Sequence, residues 1–330
     1  MIDQSELDVL KAPSAADAPC GASLEDSAEL AAFNALRVFG QGAAWEQAPD
    51  WRELRSRSLE TLARSKDIRI LAHLGAALLR TDGIAAFLAT LEVTAGWLED
   101  YWDGVYPGLD EDGVFRRNAL SCFADRIAII DAVRRAPLVA NRQLGAYSLR
   151  DHELAQGTLQ PTEADGQVAG AAQIAAAFAA MDPAELAALL AQVEAALAAL
   201  YRIDAKTREA IGVEGTPDLQ PLQQQLQRIQ VFLKEQLGTH AGAESAGDGE
   251  AGGASAAGGV SGPIRSRQDA IRALDAVAQF FRQTEPSSPV PLFVERAKRL
   301  VAKSFLEVLE DMMPDSVAQA RQVGGVREGE

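Results

Sequence analysis

Glu285-Pro286-Ser287-Ser288-Pro289-Val290-Pro291-Leu292-Phe293 joins two apolar runs near the end of the 330-residue chain, and the architecture can be worked outward from it. Ahead of it, Ser266 to Gln283 places Ile271, Leu274, Val277, Ala278 and Phe281 at helical spacing. Ser266 suits an N-cap, with Asp269 three residues on. Behind it, Leu292 to Met313 repeats the pattern with Phe293, Ala297, Leu300, Ser304 and Val308. Prolines at 286, 289 and 291 forbid one continuous helix. Each lacks an N–H and turns the residue before it away from α geometry. The stretch predicts a stiff helix–turn–helix.

Such a hairpin carries more apolar surface than two helices hide from each other. Val294, Val301, Phe305, Leu309 and Met312 mark a second face on the later helix, and Phe280 stands beside Phe281 on the earlier one. A module of roughly 65 residues is near the size at which a lone core is marginal. Each buried Leu or Phe is worth about 1.5–3 kcal/mol, so several left in water are a serious loss. The second face is expected to meet other copies of itself. The alternative is a small monomeric bundle closed by Asp315–Val323.

Charge is divided unevenly. The chain carries −16, but from Ile264 on ten Lys/Arg balance ten Asp/Glu, so the whole excess lies in the residues before it. A neutral end can pack against copies of itself, and an acidic body keeps the assembly soluble. The same acidity argues against nucleic acid or an anionic membrane as partner. Hydrophobic residues make up 48% and aromatics 6%, which fits an alanine- and leucine-rich helical protein better than a β sandwich. Met1-Ile2-Asp3-Gln4-Ser5-Glu6 is no secretory signal, and no run of 18 apolar residues is present, so the expected location is cytoplasmic. Cys20 and Cys122 are too few and too far apart for a disulfide framework.

Taken in order, the chain shows helix after helix. Leu30, Phe33 and Leu36 share a stripe within Leu24–Phe39. Asp50 caps a helix bearing Trp51, Leu54, Ser58 and Leu62. A break at Ser65-Lys66-Asp67 precedes a helix with Ile68, Leu71, Leu74 and Leu78, which ends at Asp82-Gly83. Ile84–Asp100 follows, then the dense turn Tyr101-Trp102-Asp103-Gly104-Val105-Tyr106-Pro107. The turn reads either as a helix-junction core or as a peptide groove. Phe115–Ala136 is expected as one helix and Pro137–Gly157 as extended, with strand character around Ala146-Tyr147-Ser148-Leu149. After Gln167–Ala180, Asp182-Pro183-Ala184-Glu185 is a helix start, and that helix pairs with a last one over Leu219–Leu237. Gly238–Pro263 is Gly/Ala/Ser-rich and reads as a flexible linker, with a reach on the order of 30 Å. The expected class is all-α: irregular helical bundles over 1–140 and 141–237, a linker at 238–263, and a helix–turn–helix oligomerisation module at 264–330.

Catalytic material is sparse. His73 sits inside an apolar helix, His152 beside Arg150, Asp151 and Glu153, and His240 in the linker stretch; none has a second ligand at metal-binding spacing. Neighbours such as Arg150-Asp151-His152-Glu153 do not converge on one point, so capping and local ion pairs are their expected use. No phosphate-binding or nucleophile loop occurs, and the carboxylates at Glu99–Asp103 and Asp110–Asp112 lack calcium-loop spacing. Cys122 lies among apolar neighbours and is expected to be inert. No enzyme, cofactor or metal is expected.

Several of these motifs, in this order along one chain, resemble the TssA family of bacterial type VI secretion components. They are Pro19-Cys20-Gly21, the Asp50-Trp51 helix start, Ser65-Lys66-Asp67-Ile68-Arg69, Gly83, the turn from Tyr101 to Pro107, and Arg116-Arg117-Asn118-Ala119-Leu120. They look like an ImpA-type N-terminal domain. Tyr147-Ser148-Leu149-Arg150-Asp151 is similar to the start of the family's middle domain, and Glu285–Leu292 with Arg296-Ala297 to its short-form C-terminal module. The resemblance implies a scaffold that forms a ring through its C-terminal module. It also implies work with baseplate, inner tube and sheath proteins of a contractile machine. Self-assembly would fall to Phe280, Phe281, Leu292, Phe293, Leu300 and Phe305. Trp51, Trp102, Tyr106 and Pro107 carry the N-terminal signature. The alternative is an accessory ImpA-domain protein that caps the sheath or anchors it at the membrane.

Overall fold

Caps and glycines punctuate a mainly helical chain in the computed structural model, which describes residues 4–41, 45, 47–110, 113–162, 165–247, 267–284 and 289–301. The chain divides into two compact units, Met1–Gly249 and Glu250–Glu330.

In the first unit, α1 (Gln4–Val9) and α2 (Ala28–Ala35) lead to α3 (Trp51–Leu62), α4 (Ile68–Thr81) and α5 (Ile84–Asp100). The Asp50 carboxylate accepts from the amides of Arg52 and Glu53, which starts α3. Asp67 does the same for Arg69 at the head of α4. Gly83, at φ +95, turns the chain from α4 into α5 where a Cβ would be strained. Nearly every residue of α4 is buried, from Ile68 to Leu79, so it is the central helix, with α3 and α5 packed against it.

The expected single helix over Phe115–Ala136 is instead broken. It consists of α6 (Val114–Ser121), a 3-10 turn at Cys122–Ala124, a π-helical stretch at Arg126–Asp131 and α7 (Ala132–Arg135). Asp125 causes the break. Its backbone is extended at φ −59, ψ 130, and its side chain caps the amides of Ile127 and Ala128. The class is likewise not purely α. Strands β1 (Pro137–Asn141) and β2 (Gly145–Ser148) pair antiparallel, with Val139 opposite Tyr147. Asn141 Oδ1 holds the amides of Gln143 and Leu144, and Gly145 takes φ +103, so the turn chemistry forces the hairpin. Leu149, expected as strand, begins α8 (Leu149–Ala155) behind a Ser148–Asp151 capping box.

Beyond lie α9 (Ala171–Ala179), α10 (Pro183–Gly215, interrupted at Gly212) and α11 (Gln220–Gly247). α10 packs along α5, and Arg202 clasps Glu99 and Glu92 across them. By length and composition α10 could cross a membrane, yet Leu186, Leu190, Val193, Leu197 and Leu200 on it are buried in this unit. α11 runs ten residues past the end expected at Leu237. Residues 238–247 of the expected linker are therefore helical, and 248–263 lie outside the described residues.

The second unit shows α12 (Arg267–Thr284) and α13 (Val290–Val301). Arg282 pairs with Glu295, and Asp275 with Lys298, so one helix descends as the other ascends and the two run antiparallel.

Candidate functional site

Three segments far apart in sequence meet at one junction. Ala22 donates to Arg64 O and Lys66 to Cys20 O, which pairs Gly21 with Ser65. On the far side of Lys66, Tyr106 N donates to its carbonyl and Ile68 N to Tyr106 O. Tyr106 Oη closes the triangle on Gly21 O at 3.3 Å. Gly21 has no substitute here. Its φ is +72, and an added Cβ would lie 2.0 Å from Arg64 O.

Two fully buried cations hold the junction, with no carboxylate partner among the described residues. Lys66 Nζ donates to Leu10 O at 2.7 Å and Ala12 O at 2.6 Å, and it lies over the rings of Trp97 and Tyr101. Burial lowers its pKa. Arg116 threads the aromatic turn: Nη1 donates to Trp102 O, Nη2 to Val105 O and Pro107 O, and Nε again to Pro107 O. Its guanidinium lies over Trp102, 4.7 Å from the ring centroid. Burial pushes its pKa down to about 10, so it stays charged at neutral pH. Cys20 is buried nearby and its thiol is pushed up by burial, against the pull of Lys66 and Arg116. Cations satisfied by carbonyls and ring faces tie these loops together.

Beside the junction is a cleft of about 290 Å³. Asn34, Arg37, Val38 and Phe39 approach it from the end of α2, and Arg69 and His73 from α4. Pro107, Phe115, Asn118, Ala119 and Cys122 complete it. His73 Nδ1 lies 2.8 Å from Arg69 O, with Phe33 and Phe39 edge-on to the ring. Burial lowers its pKa, so it is neutral. Cys122 Sγ reaches Asn118 O, and burial pushes its pKa up to about 12, leaving an unreactive thiol. A second, open groove of about 470 Å³ lies along α8 and α11, between His152, Arg228, Phe232 and Glu235. His152 stacks 4.4 Å from Phe232 there. Of its sequence neighbours, Asp151 caps α8, Arg150 pairs with Asp165, and Glu153 with Arg134. His240, expected in the linker, is on α11 with Nε2 2.9 Å from Phe178 O. Among the described residues no cluster of three or more His, Cys, Asp or Glu could hold a metal.

The signature residues separate. Trp102, Tyr106 and Pro107 belong to the junction, whereas Trp51 joins Trp45 around Arg80, whose guanidinium lies 4.2 Å from the Trp51 ring centroid. Of the residues expected to assemble copies, Leu292 is 75% and Phe293 69% exposed on α13, and Phe281 is half-buried on α12. Phe280 and Leu300 lie in these helices with side chains outside the described residues, as does all of Phe305. The inward residues of the pair are Ala278 and Val294. Val294 was expected on the second face and Phe293 on the first, and the helix is rotated so that the two exchange places. Lys66, Arg37 and Phe115 were missed; an ammonium inside Ser65-Lys66-Asp67 read as part of a helix break.

Residues 12–125 match the family described as ImpA, N-terminal, type VI secretion system. Over 97% of this chain and 98% of the relative, the sequence is 33% identical to type VI secretion system component TssA1 of Pseudomonas aeruginosa. A solved structure is similar over 73% of this chain and 96% of its own, with a TM-score of 0.57 and 23% identity. It is the N-terminal domain, including the conserved ImpA_N region, of the TssA component of the type VI secretion system from Burkholderia cenocepacia. At that identity the likeness speaks for the fold alone.

Proposed function

The chain belongs to the TssA family of type VI secretion system components, and from that premise we propose that it is a non-enzymatic assembly scaffold. Copies gather through the C-terminal unit into a ring, and each copy also carries its acidic N-terminal unit. The observation that supports this most directly is the outward pair Leu292 and Phe293 on α13, in a stretch whose charges cancel. Two large apolar side chains in water are costly, and like copies without net charge can cover them. From the family resemblance, the ring works on the cytoplasmic side with baseplate, tube and sheath proteins, and many weak contacts add through multivalency. The proposed domain plan follows: helical bundles over 1–140 and from 141 to the end of α11 at 247, a tether within 248–263 and an assembling end from 264.

Light scattering after size exclusion tests it. The full chain should elute as a multimer and the chain cut after residue 263 as a monomer. A monomeric full chain, or a truncated chain of unchanged multiplicity, overturns the proposal.

A further inference from the structure

The cleft beside the junction differs from the rest of this acidic chain, and we propose that it binds an acidic peptide segment of a partner protein through one large apolar side chain. Among the described lining residues only Arg37 and Arg69 are ionised. His73 is neutral there, the Cys122 thiol is protonated, and Phe39 supplies an aromatic wall. Its rim is basic. Arg37 is exposed, and no carboxylate pairs with it among the described residues. The charge of Arg69 is already matched by Asp67 and Glu25, so Arg37 supplies the free positive charge. Among the described residues no carboxylate lines the cleft, although the chain carries −16. Asp125, behind Cys122, is committed to the amides of Gly40, Ile127 and Ala128.

Size and chemistry together select the occupant. About 290 Å³ is at the small end of ligand sites, which run roughly 300–1,000 Å³; it suits one inserted side chain better than a cofactor. Phe115 stands 60% exposed at the lip, where it can close over an apolar anchor. A carboxylate next to that anchor meets Arg37, and the exposed Asn118 amide offers donor and acceptor to the peptide backbone. Among the described lining residues, Arg37 alone brings a cation with no carboxylate paired to it, too little positive charge for nucleic acid. This inference concerns the first unit and stands whether or not copies assemble through the second.

The test uses the full chain and fluorescein-labelled heptapeptides of sequence Gly-Asp-Glu-X-Asp-Glu-Gly, with X as Phe, Leu, Trp or Ala, read by anisotropy. At least one of the Phe, Leu and Trp peptides should bind saturably. The Ala peptide and a Lys/Arg-flanked Phe peptide should bind at least about tenfold more weakly. Arg37→Glu and Phe115→Ala, both at exposed positions, should each weaken binding about tenfold with unchanged melting temperature. The proposal fails if no apolar-anchored peptide saturates at millimolar concentration, or if Ala binds as well as Phe. It also fails if neither variant weakens binding, or if Arg37→Glu changes only the multimer mass, which would make the cleft a contact between copies.

Discussion

Lys66 Nζ and Trp97 Nε1 donate to the same acceptor, the carbonyl of Leu10, each at 2.7 Å, while the ammonium lies 5.2 Å from the indole centroid. One carbonyl thus fastens the end of the α1 segment both to the break before α4 and to α5. Lys66→Met keeps the stem but leaves Ala12 O without its partner. The lost bonds from a charged donor, to Leu10 O and to the partly exposed Ala12 O, are worth about 1.5–3 kcal/mol. The expected result is a melting temperature lower by about 2–4 °C per kcal/mol, together with faster proteolysis within residues 1–20. Unchanged proteolysis would show that Lys66 does not hold this segment.

Arg116→Met should be worse than Lys66→Met. It strips donors from the carbonyls of Trp102, Val105 and Pro107 at once. Hydrogen bonds from a charged donor are worth about 1.5–3 kcal/mol each, so a loss above about 3 kcal/mol is expected. Arg116→Lys, with one point charge in place of a planar fork, should recover only part of it. Urea melts would show both midpoints moving down in that order with unchanged slope; equal stability of the Lys variant would deny the role given to the fork.

Gly21 and Gly40 provide a controlled pair. Both have positive φ, +72 and +77, but an added Cβ at Gly21 meets Arg64 O while at Gly40 it meets nothing within 4 Å. Gly40→Ala should cost only the left-handed conformation, about 1–2 kcal/mol. Gly21→Ala must part the Gly21–Ser65 bridge and should fail to give a cooperative thermal transition. Comparable melting curves for the two variants would refute the clash.

His73 sets an acid sensitivity. Its folded pKa is lowered below 6.5, first by burial, so it stays neutral in the fold while the unfolded chain takes up a proton. Stability is full above pH 6.5 and declines as pH falls from there toward the folded pKa. The steepest slope is about 1.4 kcal/mol per pH unit for one group. His152, also lowered, adds to the same window. Glu25 and Glu99 are lowered from 4.5 and contribute only at more acidic pH. Chemical melts between pH 7 and 5 should show the decline, and His73→Phe should flatten it. An identical slope in the variant would assign the effect elsewhere.

Local signals in the sequence carried over where one residue settles a geometry by itself. Asp50 and Asp182-Pro183 sit at helix starts as their chemistry requires, and α4 ends at Asp82-Gly83 as expected, although Gly83, at φ +95 and ψ −174, is not in the left-handed helical conformation. Asp125 misled because an acidic residue in an apolar run looks like a solvent-facing helix position, whereas its carboxylate bonds forward to two amides and ends the helix. The α11 extension was hidden because alanine and glycine carry no apolar stripe, although alanine favours helix. The motifs of the junction were visible singly, but Gly21, Lys66, Tyr106 and Arg116 are brought together only by tertiary packing. The cleft was illegible for the same reason: Arg37 and Phe115 are unremarkable until α2 and α6 set them around one opening.

Leu292→Asp with Phe293→Asp should separate assembly from folding. Both side chains point into solvent from α13, so replacing them removes little from the α12–α13 contact, which rests on Ala278, Val294 and the Arg282–Glu295 and Lys298–Asp275 pairs. Surface changes of this kind usually shift stability by no more than about 0.5 kcal/mol. At a contact between copies the same change buries two carboxylates against apolar side chains, which no interface tolerates without partners. The double variant should therefore keep its helical circular dichroism and lose its multimer mass in light scattering. Lys298→Ala serves as the reverse control, loosening the pair and leaving Leu292 and Phe293 in place. A double variant that still assembles would mean that copies meet through another surface, and the exposed face of α13 would need a different partner.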